Sequence, residues 1–269
     1  MANLSKPDLL GKFLDAISAS GWQALVEQPQ DHPFSIIVWN GTSTYTVRLY
    51  IWNVTPGGPA SVRPQGEYRI QITGVPSPLL ITPGTHTLLL GWEDDNEIFI
   101  AFDVHRHTTF GSSPSIQVSL STLQRATENG YAFQKRGNEE TIIAFAPDQM
   151  VNYISQMAHL HTLGRNELEE TALTRLLEEP KEIEGFDRVP IDRQTILTTV
   201  SRWARERTFR ERVSQAYGHQ CSVCRLQLKL VQAAHIVPVN FPSSNDQTSN
   251  GIALCPSDHV AYDLSLIHI

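Results

Sequence analysis

The spacing of hydrophobic and polar residues changes along the chain, from a helical start to a β-rich middle. Residues 7–19 place apolar side chains at helical intervals and end near Gly21, which predicts an N-terminal helix. After Phe34 the pattern becomes a series of short β-type runs separated by turn residues. These runs predict strands at 34–39, 45–54, 67–73, 87–91, 96–104, 114–120 and 140–146, with helices at 121–128 and from Pro147 to about Leu160.

The clearest alternation lies at 67–72 and predicts a strand with one polar and one apolar face. Arg69 and Gln71 share the polar face and could read base edges, and Trp52 or Trp92 could stack on a base. Ordinary sheet and core positions explain the same residues equally well. Residues 1–160 are therefore predicted to be a β-rich domain, large enough to hold its own core and a candidate for DNA recognition.

An acidic stretch separates this domain from the rest of the chain. Residues 161–192 are predicted to be a linker that begins as a helix and is ended by Pro180 and Pro190. Residues 193–217 then predict a long Arg-rich helix, with Tyr217-Gly218 as its C-terminal cap. The expected fold class is α+β: a β-rich N-terminal domain, an acidic helical linker, and a small C-terminal domain at 193–269.

Composition excludes several classes of protein. The 269 residues are 41% hydrophobic and 18% charged, which is ordinary for a globular protein and excludes wholesale disorder or a collagen-like repeat. No apolar run approaches the roughly 18 residues of a membrane span, and Met1-Ala2-Asn3-Leu4 opens no signal peptide. We therefore expect no membrane partner and a cytoplasmic location.

The net charge of -7 argues against a nucleic-acid partner only when it is averaged over the whole chain. Residues 193–269 carry +3, residues 1–192 carry -10, and -6 of this lies within 166–192. A basic module behind an acidic connector suits phosphate contact. Arg205 and Arg212 are the candidate DNA-binding residues, although a solvated helix face explains an Arg-rich helix as well.

All three cysteines lie in the basic segment. An odd number without an export signal does not indicate a disulfide framework. The pair Cys221-x-x-Cys224 has the spacing of a zinc knuckle, and the thioredoxin-like context that a redox pair would need is not found. A metal site is the favoured interpretation.

Three motifs follow one another in the C-terminal segment: Cys221-x-x-Cys224, then Ala-His235-Ile-x-Pro, then Asn250-Gly-x-x-Leu-Cys255 with His259-x-x-x-Asp263. In this order and spacing they resemble the HNH endonuclease family over roughly residues 205–263. The resemblance implies a ββα-metal fold and hydrolysis of DNA phosphodiester bonds, leaving 5′-phosphate and 3′-hydroxyl ends. The front domain more weakly resembles those of restriction-type HNH proteins.

The resemblance also implies roles for individual residues. His235 would be the general base, since an imidazole can take a proton from water near neutral pH. Asn250 would brace the loop that fixes the His235 strand against the helix. His259 and Asp263, four residues apart on one helix face, would hold the catalytic ion. Mg²⁺ or Mn²⁺ is expected there, although nitrogen and oxygen ligands also tolerate Zn²⁺, Ni²⁺ or Co²⁺.

Three departures from the family pattern stand out. Many relatives have a further metal ligand immediately before the base, where this chain has Ala234. The fourth ligand of the structural zinc falls on Asp258, beside Cys221, Cys224 and Cys255, and a carboxylate is a harder donor than a thiolate. Relatives also continue with a glycine and another strand, so we expect the natural protein to extend beyond residue 269.

Three functions are thus considered from the sequence. The leading one is a metal-dependent HNH endonuclease in a restriction or phage-defence setting. The second is a zinc-knuckle DNA-binding protein that has lost catalysis. The third is a toxin-type nuclease released against competitors, which the large front domain and the absence of an export signal disfavour. The recognition sequence and the oligomeric state, a homodimer included, are left open.

Overall fold

The computed structural model describes residues 3–28, 31–57, 66–111, 114–137, 139–163, 191–227, 230–239, 241 and 243–267. The chain divides into two compact units, Met1–Thr198 and Thr199–Ile269, which are called here the front unit and the nuclease unit. The predicted acidic linker at 161–192 falls almost entirely on residues 164–190, which lie outside the described residues. The boundaries at 160 and 192 stay predictions.

Strands dominate the described part of the front unit. Its helices are α1 (Lys6–Ala19), α2 (Leu120–Asn129) and α3 (Met150–Leu160), and 3-10 turns cover Val104–Arg106 and Pro147–Gln149. Its strands are β1 (Gln23–Gln28), β2 (Phe34–Trp39), β3 (Thr44–Asn53), β4 (Thr55–Pro56), β5 (Glu67–Gln71), β6 (His86–Glu93), β7 (Ile98–Phe102), β8 (Ser115–Ser119), β9 (Tyr131–Lys135) and β10 (Thr141–Phe145).

These strands form a large sheet and a small one. The seven-stranded sheet has the order β1-β2-β3-β6-β7-β10-β9, and the three-stranded sheet has the order β4-β5-β8. Neighbouring strands are antiparallel except for β3 and β6, which run parallel with Val47 opposite His86 and Asn53 opposite Trp92. A parallel pair needs a long connection between its strands. Here the connection from β3 to β6 contains β4 and β5 of the small sheet.

Both faces of the large sheet are covered. Strands β7 and β10 are buried along their whole length, as expected for central strands between two layers. One face packs on the small sheet and α2, in a core that includes Tyr50, Ile70 and Ile116. Helix α1 contacts β3 and helix α3 contacts β10. The residues that alternate with this core along β3, Leu49 and Ile51, are fully buried on the other face.

The two tryptophans considered for base stacking belong to the core. Trp52 is 7% exposed and Trp92 only 2% exposed. Their indole N–H groups are also engaged, with Trp52 Nε1 donating to the Thr73 carbonyl at 3.2 Å and Trp92 Nε1 donating to Asp94 Oδ1 at 2.8 Å. The core interpretation is correct for both.

Local sequence signals explain where the helices of the front unit begin and end. Helix α1 starts at a capping box, in which Ser5 Oγ accepts from the Asp8 amide and Asp8 Oδ2 accepts from the Ser5 amide. Helix α2 starts at Ser119, whose hydroxyl accepts from the Thr122 amide, and ends at Gly130. Gly130 has a φ of 78°, a left-handed conformation that favours glycine.

The nuclease unit contains the ββα arrangement that the motifs predict. Helix α4 (Ile191–Ala216) leads into it, followed by strands β11 (Gln232–His235) and β12 (Gly251–Leu254) and helix α5 (Pro256–Asp263). The two strands pair antiparallel, with His235 opposite Gly251. The α+β fold class, with a β-rich N-terminal region and a ββα unit at the C-terminal end, is confirmed.

Among the residues that the structure describes, no helix combines the length and the apolar character needed to cross a bilayer.

Candidate active site

The β11–β12 hairpin has two faces that contact different helices. Ala233 and Ala253 pack against Phe209 and Val213 of α4. Ala234 lies on the opposite face, in the small core that also holds Ile252, Leu254, Cys221, Cys255 and the ring of Tyr262. Side chains alternate between the faces, so each residue of β11 faces either α4 or α5.

His235, the last residue of β11, lies on the α4 side. Its ring stacks on Phe209, with centroids 4.0 Å apart and planes inclined by 8°. Its Nε2 atom lies 3.0 Å from Oδ1 of Asp246. The side chain is 18% exposed, so the imidazole is held by these two contacts but remains accessible.

Asn250 lies just before β12 and holds the loop that follows His235. Its Oδ1 accepts from the Val237 amide at 2.8 Å, and its Nδ2 donates to the carbonyls of Asn245 at 2.8 Å and Val237 at 3.3 Å. Asn250 is 7% exposed, so these bonds are largely protected from water. These bonds tie the loop after His235 to the start of β12.

His259 and Asp263 lie one turn apart on α5. His259 Nε2 is 3.8 Å from Asp263 Oδ2. His259 Nδ1 is 2.7 Å from Oε1 of Gln232, which reaches across from β11. Because an amide oxygen only accepts, Nδ1 carries the proton and Nε2 presents its lone pair beside Asp263. A ligating histidine is commonly oriented in this way.

Two clefts open on opposite sides of the end of β11, and His235 lines both. The first, about 480 Å³, is lined by Ala234, His235, Pro238, His259, Tyr262, Asp263, Ser265 and Ile267. The second, about 340 Å³, is lined by Arg202, Arg205, Glu206, Phe209, Arg210, Ala233, His235, Val239 and Asp246. They are called here the α5 cleft and the arginine cleft. Ala234 faces the α5 cleft, at the position where relatives have an extra ligand.

The two arginines predicted to bind DNA both approach the loop that contains Asp246. Arg205 Nη1 is 3.7 Å from Asp246 Oδ2, and Arg212 Nη2 donates to the Asp246 carbonyl at 2.6 Å. The Nε atom of Arg205 is buried and has no hydrogen-bond partner among the described residues. Sequence reasoning missed Asp246, whose polar surroundings at 243–247 carry no motif or periodicity.

The three cysteines and Asp258 form a compact cluster, with one potential ligand atom from each residue and all four atoms within 4.8 Å of one another. Cys224 Sγ and Cys255 Sγ are 3.7 Å apart, and Asp258 Oδ2 lies 3.0 Å from Cys221 Sγ and 3.2 Å from Cys255 Sγ. A tetrahedral zinc with bonds of about 2.3 Å separates its sulfurs by about 3.8 Å. The donors therefore fit such an ion.

The surroundings of the cluster shift the pKa values of its members. Burial and Asp258 raise the pKa of the Cys221 thiol, but the backbone amides of Cys224, Cys255 and Val223 outweigh them and lower it. Hydrogen bonds from the thiols of Cys221, Cys224 and Cys255 lower the pKa of Asp258. Backbone amides that favour a thiolate suit a metal-binding knuckle.

Comparison with known proteins gives two matches to family models. Residues 221–269 match the model described as HNH endonuclease. Residues 45–154 match the model described as Methylase-associated X1. Searches of the curated proteins and of the solved structures found no match. The C-terminal part of the chain thus carries an HNH endonuclease domain, and a methylase-associated domain precedes it.

Proposed function

We propose that this protein is a metal-dependent endonuclease that hydrolyses phosphodiester bonds in DNA and acts in restriction or another form of phage defence in the cytoplasm. The observation that carries the proposal is the ββα unit, in which His235, His259 and Asp263 line one cleft of about 480 Å³. The match of residues 221–269 to an HNH endonuclease model supports it. The methylase-associated match at 45–154 supports the restriction setting.

The chemistry needs a base beside the attacking water. His235 would take a proton from this water, and the oxygen would attack phosphorus while the bond from phosphorus to the 3′ oxygen breaks. The 3′ oxygen would leave with a proton from solvent, giving 3′-hydroxyl and 5′-phosphate ends. The stacked ring of Phe209 and the brace at Asn250 keep the imidazole in place during this transfer.

His259 and Asp263 would hold Mg²⁺ or Mn²⁺ in the α5 cleft. The residues fit such an ion, because the Gln232 contact leaves His259 Nε2 with a lone pair beside the Asp263 carboxylate. When bound, the ion supplies positive charge for the scissile phosphate and the departing oxygen. With Ala234 in place of a further ligand, water and phosphate would complete its coordination.

DNA would lie along the arginine cleft. Three arginines, Arg202, Arg205 and Arg210, line this cleft, and their positive charge suits a DNA phosphate. Arg212 would contribute to DNA binding beside the loop that it holds. The front unit would read the DNA, with the polar face of β5 as one candidate surface. The cysteine cluster would hold a structural Zn²⁺.

A plasmid-nicking assay of the full chain with Mg²⁺ or Mn²⁺ tests the proposal. The wild type should nick, and His235→Ala should lose about 100-fold or more of the rate. The control His219→Asn changes another histidine of the nuclease unit, whose Nδ1 contacts Ser214 Oγ, to a residue that tolerates its positive φ of 57°. This control should nick like the wild type.

If the wild type nicks no faster than His235→Ala, the enzyme proposal fails. DNA binding by both proteins would then favour a non-catalytic DNA-binding protein. Binding of full-length His235→Ala to libraries of modified and unmodified duplexes tests the front unit as a reader. Equal binding to all duplexes would remove that role.

A further inference from the structure

Asp246 is the acidic residue closest to the proposed base on the α4 side of the hairpin. Its Oδ1 lies 3.0 Å from His235 Nε2. It is one of two acidic residues that line the arginine cleft, and the other, Glu206, pairs instead with Arg202 at 3.8 Å. The contact with His235 therefore belongs to Asp246 and is not a general property of acids in this cleft.

Asp246 is itself held in place by two arginines that lie two turns apart on α4. Arg205 Nη1 lies 3.7 Å from Asp246 Oδ2, so one carboxylate oxygen faces Arg205 while the other faces His235. Arg212 fixes the backbone of the same residue by donating to its carbonyl at 2.6 Å. These two contacts fix the orientation of the Asp246 carboxylate beside the His235 imidazole.

The contact decides which ring nitrogen of His235 can act as a base. A carboxylate only accepts hydrogen bonds, so the neutral imidazole must carry its proton on Nε2. The lone pair then lies on Nδ1. Phe209 stacks on the ring face with planes 8° apart and limits rotation out of this plane. Carboxylate and aromatic ring together leave one tautomer and one ring orientation.

On these contacts we propose that Asp246 is a positioning residue for His235: it holds the Nε2–H tautomer, so that Nδ1 accepts the proton of the attacking water. This inference rests on the proposed nuclease function. After the transfer His235 carries protons on both nitrogens, and the Asp246 carboxylate faces the positive ring. Arg205 orients Asp246 through its Nη1 atom.

Steady-state kinetics of the full chain with Asp246→Asn and Asp246→Ala test the role. Asp246→Ala should lower kcat about 10- to 100-fold, and Asp246→Asn, which keeps an accepting oxygen, should lose less. The matched control is Glu211→Gln, which removes the same charge from α4 at a residue that pairs with Arg207 and does not line the cleft. Only the Asp246 variants should lose kcat.

A spectroscopic readout separates positioning from folding and from catalysis. Two-bond ¹H–¹⁵N correlation spectra of histidine-labelled protein report which ring nitrogen is protonated, and His235→Gln assigns the signal. The wild type should show the Nε2–H form, and Asp246→Ala should show a mixture. An unchanged spectrum together with an unchanged kcat overturns the positioning role. If the wild type never cleaves DNA, the nuclease proposal fails, and the spectra alone decide whether Asp246 orients His235.

Discussion

Asn250 holds the backbone of Val237 with both polar groups of its side chain. Oδ1 accepts from the Val237 amide at 2.8 Å, and Nδ2 donates to the Val237 carbonyl at 3.3 Å. The bonded residue is two positions beyond His235, so the end of β11 is tied to the start of β12 at the proposed catalytic base. This brace links stability of the unit to placement of the imidazole.

Asn250→Ala should weaken both properties. It leaves the Val237 amide and the Asn245 carbonyl without their partner, which should lower the free energy of unfolding of the nuclease unit by ~1–3 kcal/mol. The nicking rate should fall by more than the decrease in the fraction of folded protein alone would cause. Calorimetry and nicking rates measure the two effects. The control Gln215→Ala removes an exposed amide side chain on α4 and should change stability by less than ~0.5 kcal/mol.

Metal removal should affect the nuclease unit alone. The cluster of Cys221, Cys224, Cys255 and Asp258 predicts one zinc per chain, and binding to a folded cluster stabilises that fold. A chelator should lower the thermal transition of this unit and leave that of the front unit in place. Asp258→Cys should retain zinc more firmly than Asp258→Ala, because it completes four thiolates. Absence of zinc from freshly purified protein, with no effect of chelator, would contradict the site.

The sequence predicted the elements of the fold better than their arrangement. Strands with strong apolar runs, such as β7 and β10, match their predicted ranges within two residues at each end. Strand β1 (Gln23–Gln28) was missed, because it lies at the sheet edge and mixes polar residues with an exposed Leu25. Strand β9 was missed because its five residues follow directly on a helix. The parallel pairing of β3 with β6 depends on contacts far apart in sequence, which a local pattern does not contain.

For the candidate site, too, the sequence indicated individual residues better than their arrangement. The motifs made His235, Asn250, His259 and the cysteines candidates because their spacing carries the signal. They did not show that His235 turns towards α4, since the face of a four-residue strand depends on what packs against it. Asp246 was missed for a related reason: it reaches His235 from an irregular loop, eleven positions away.

The stability of the front unit should fall as pH is lowered from about 6.5 to about 4. Burial lowers the pKa of His32 to about 4, and its Nε2 accepts from the Ile51 amide at 3.2 Å. An unfolded chain binds this proton below about 6.5, so acid favours unfolding across that window. His32→Gln should flatten the slope of stability against pH, and His159→Gln, on the exposed side of α3, should leave it unchanged. Equal slopes in all three proteins would contradict the assignment.

Glu140 should add a second loss of stability at lower pH. Burial raises the pKa of this fully buried carboxyl, but the hydrogen bonds and charges of His107 and Arg136 outweigh burial and lower it. A lowered carboxyl pKa stabilises the folded state above about 4.5 and ceases to do so as pH falls through the folded value. Glu140→Gln should remove this acid-side slope. Denaturant titrations at closely spaced pH values measure both.

Gly251 is the point where α4 packs most closely on the hairpin, and it should not tolerate a side chain. A Cβ at this position would lie 2.9 Å from Phe209 Cζ and closer still to Val213 Cγ2. Gly251→Ala should therefore cost ~1–3 kcal/mol of stability and displace Phe209 from the His235 ring, lowering the nicking rate as well.

Val213→Ala removes the nearest methyl groups, so the double variant Val213→Ala with Gly251→Ala should lose less stability than the sum of the losses of the two single variants. Gly11→Ala, in helix α1 with open space around the position, should be neutral or stabilising by up to ~1 kcal/mol. Additive losses in the double variant would contradict a close contact between α4 and the hairpin at Gly251. The position of Phe209 on the His235 ring would then depend on other contacts.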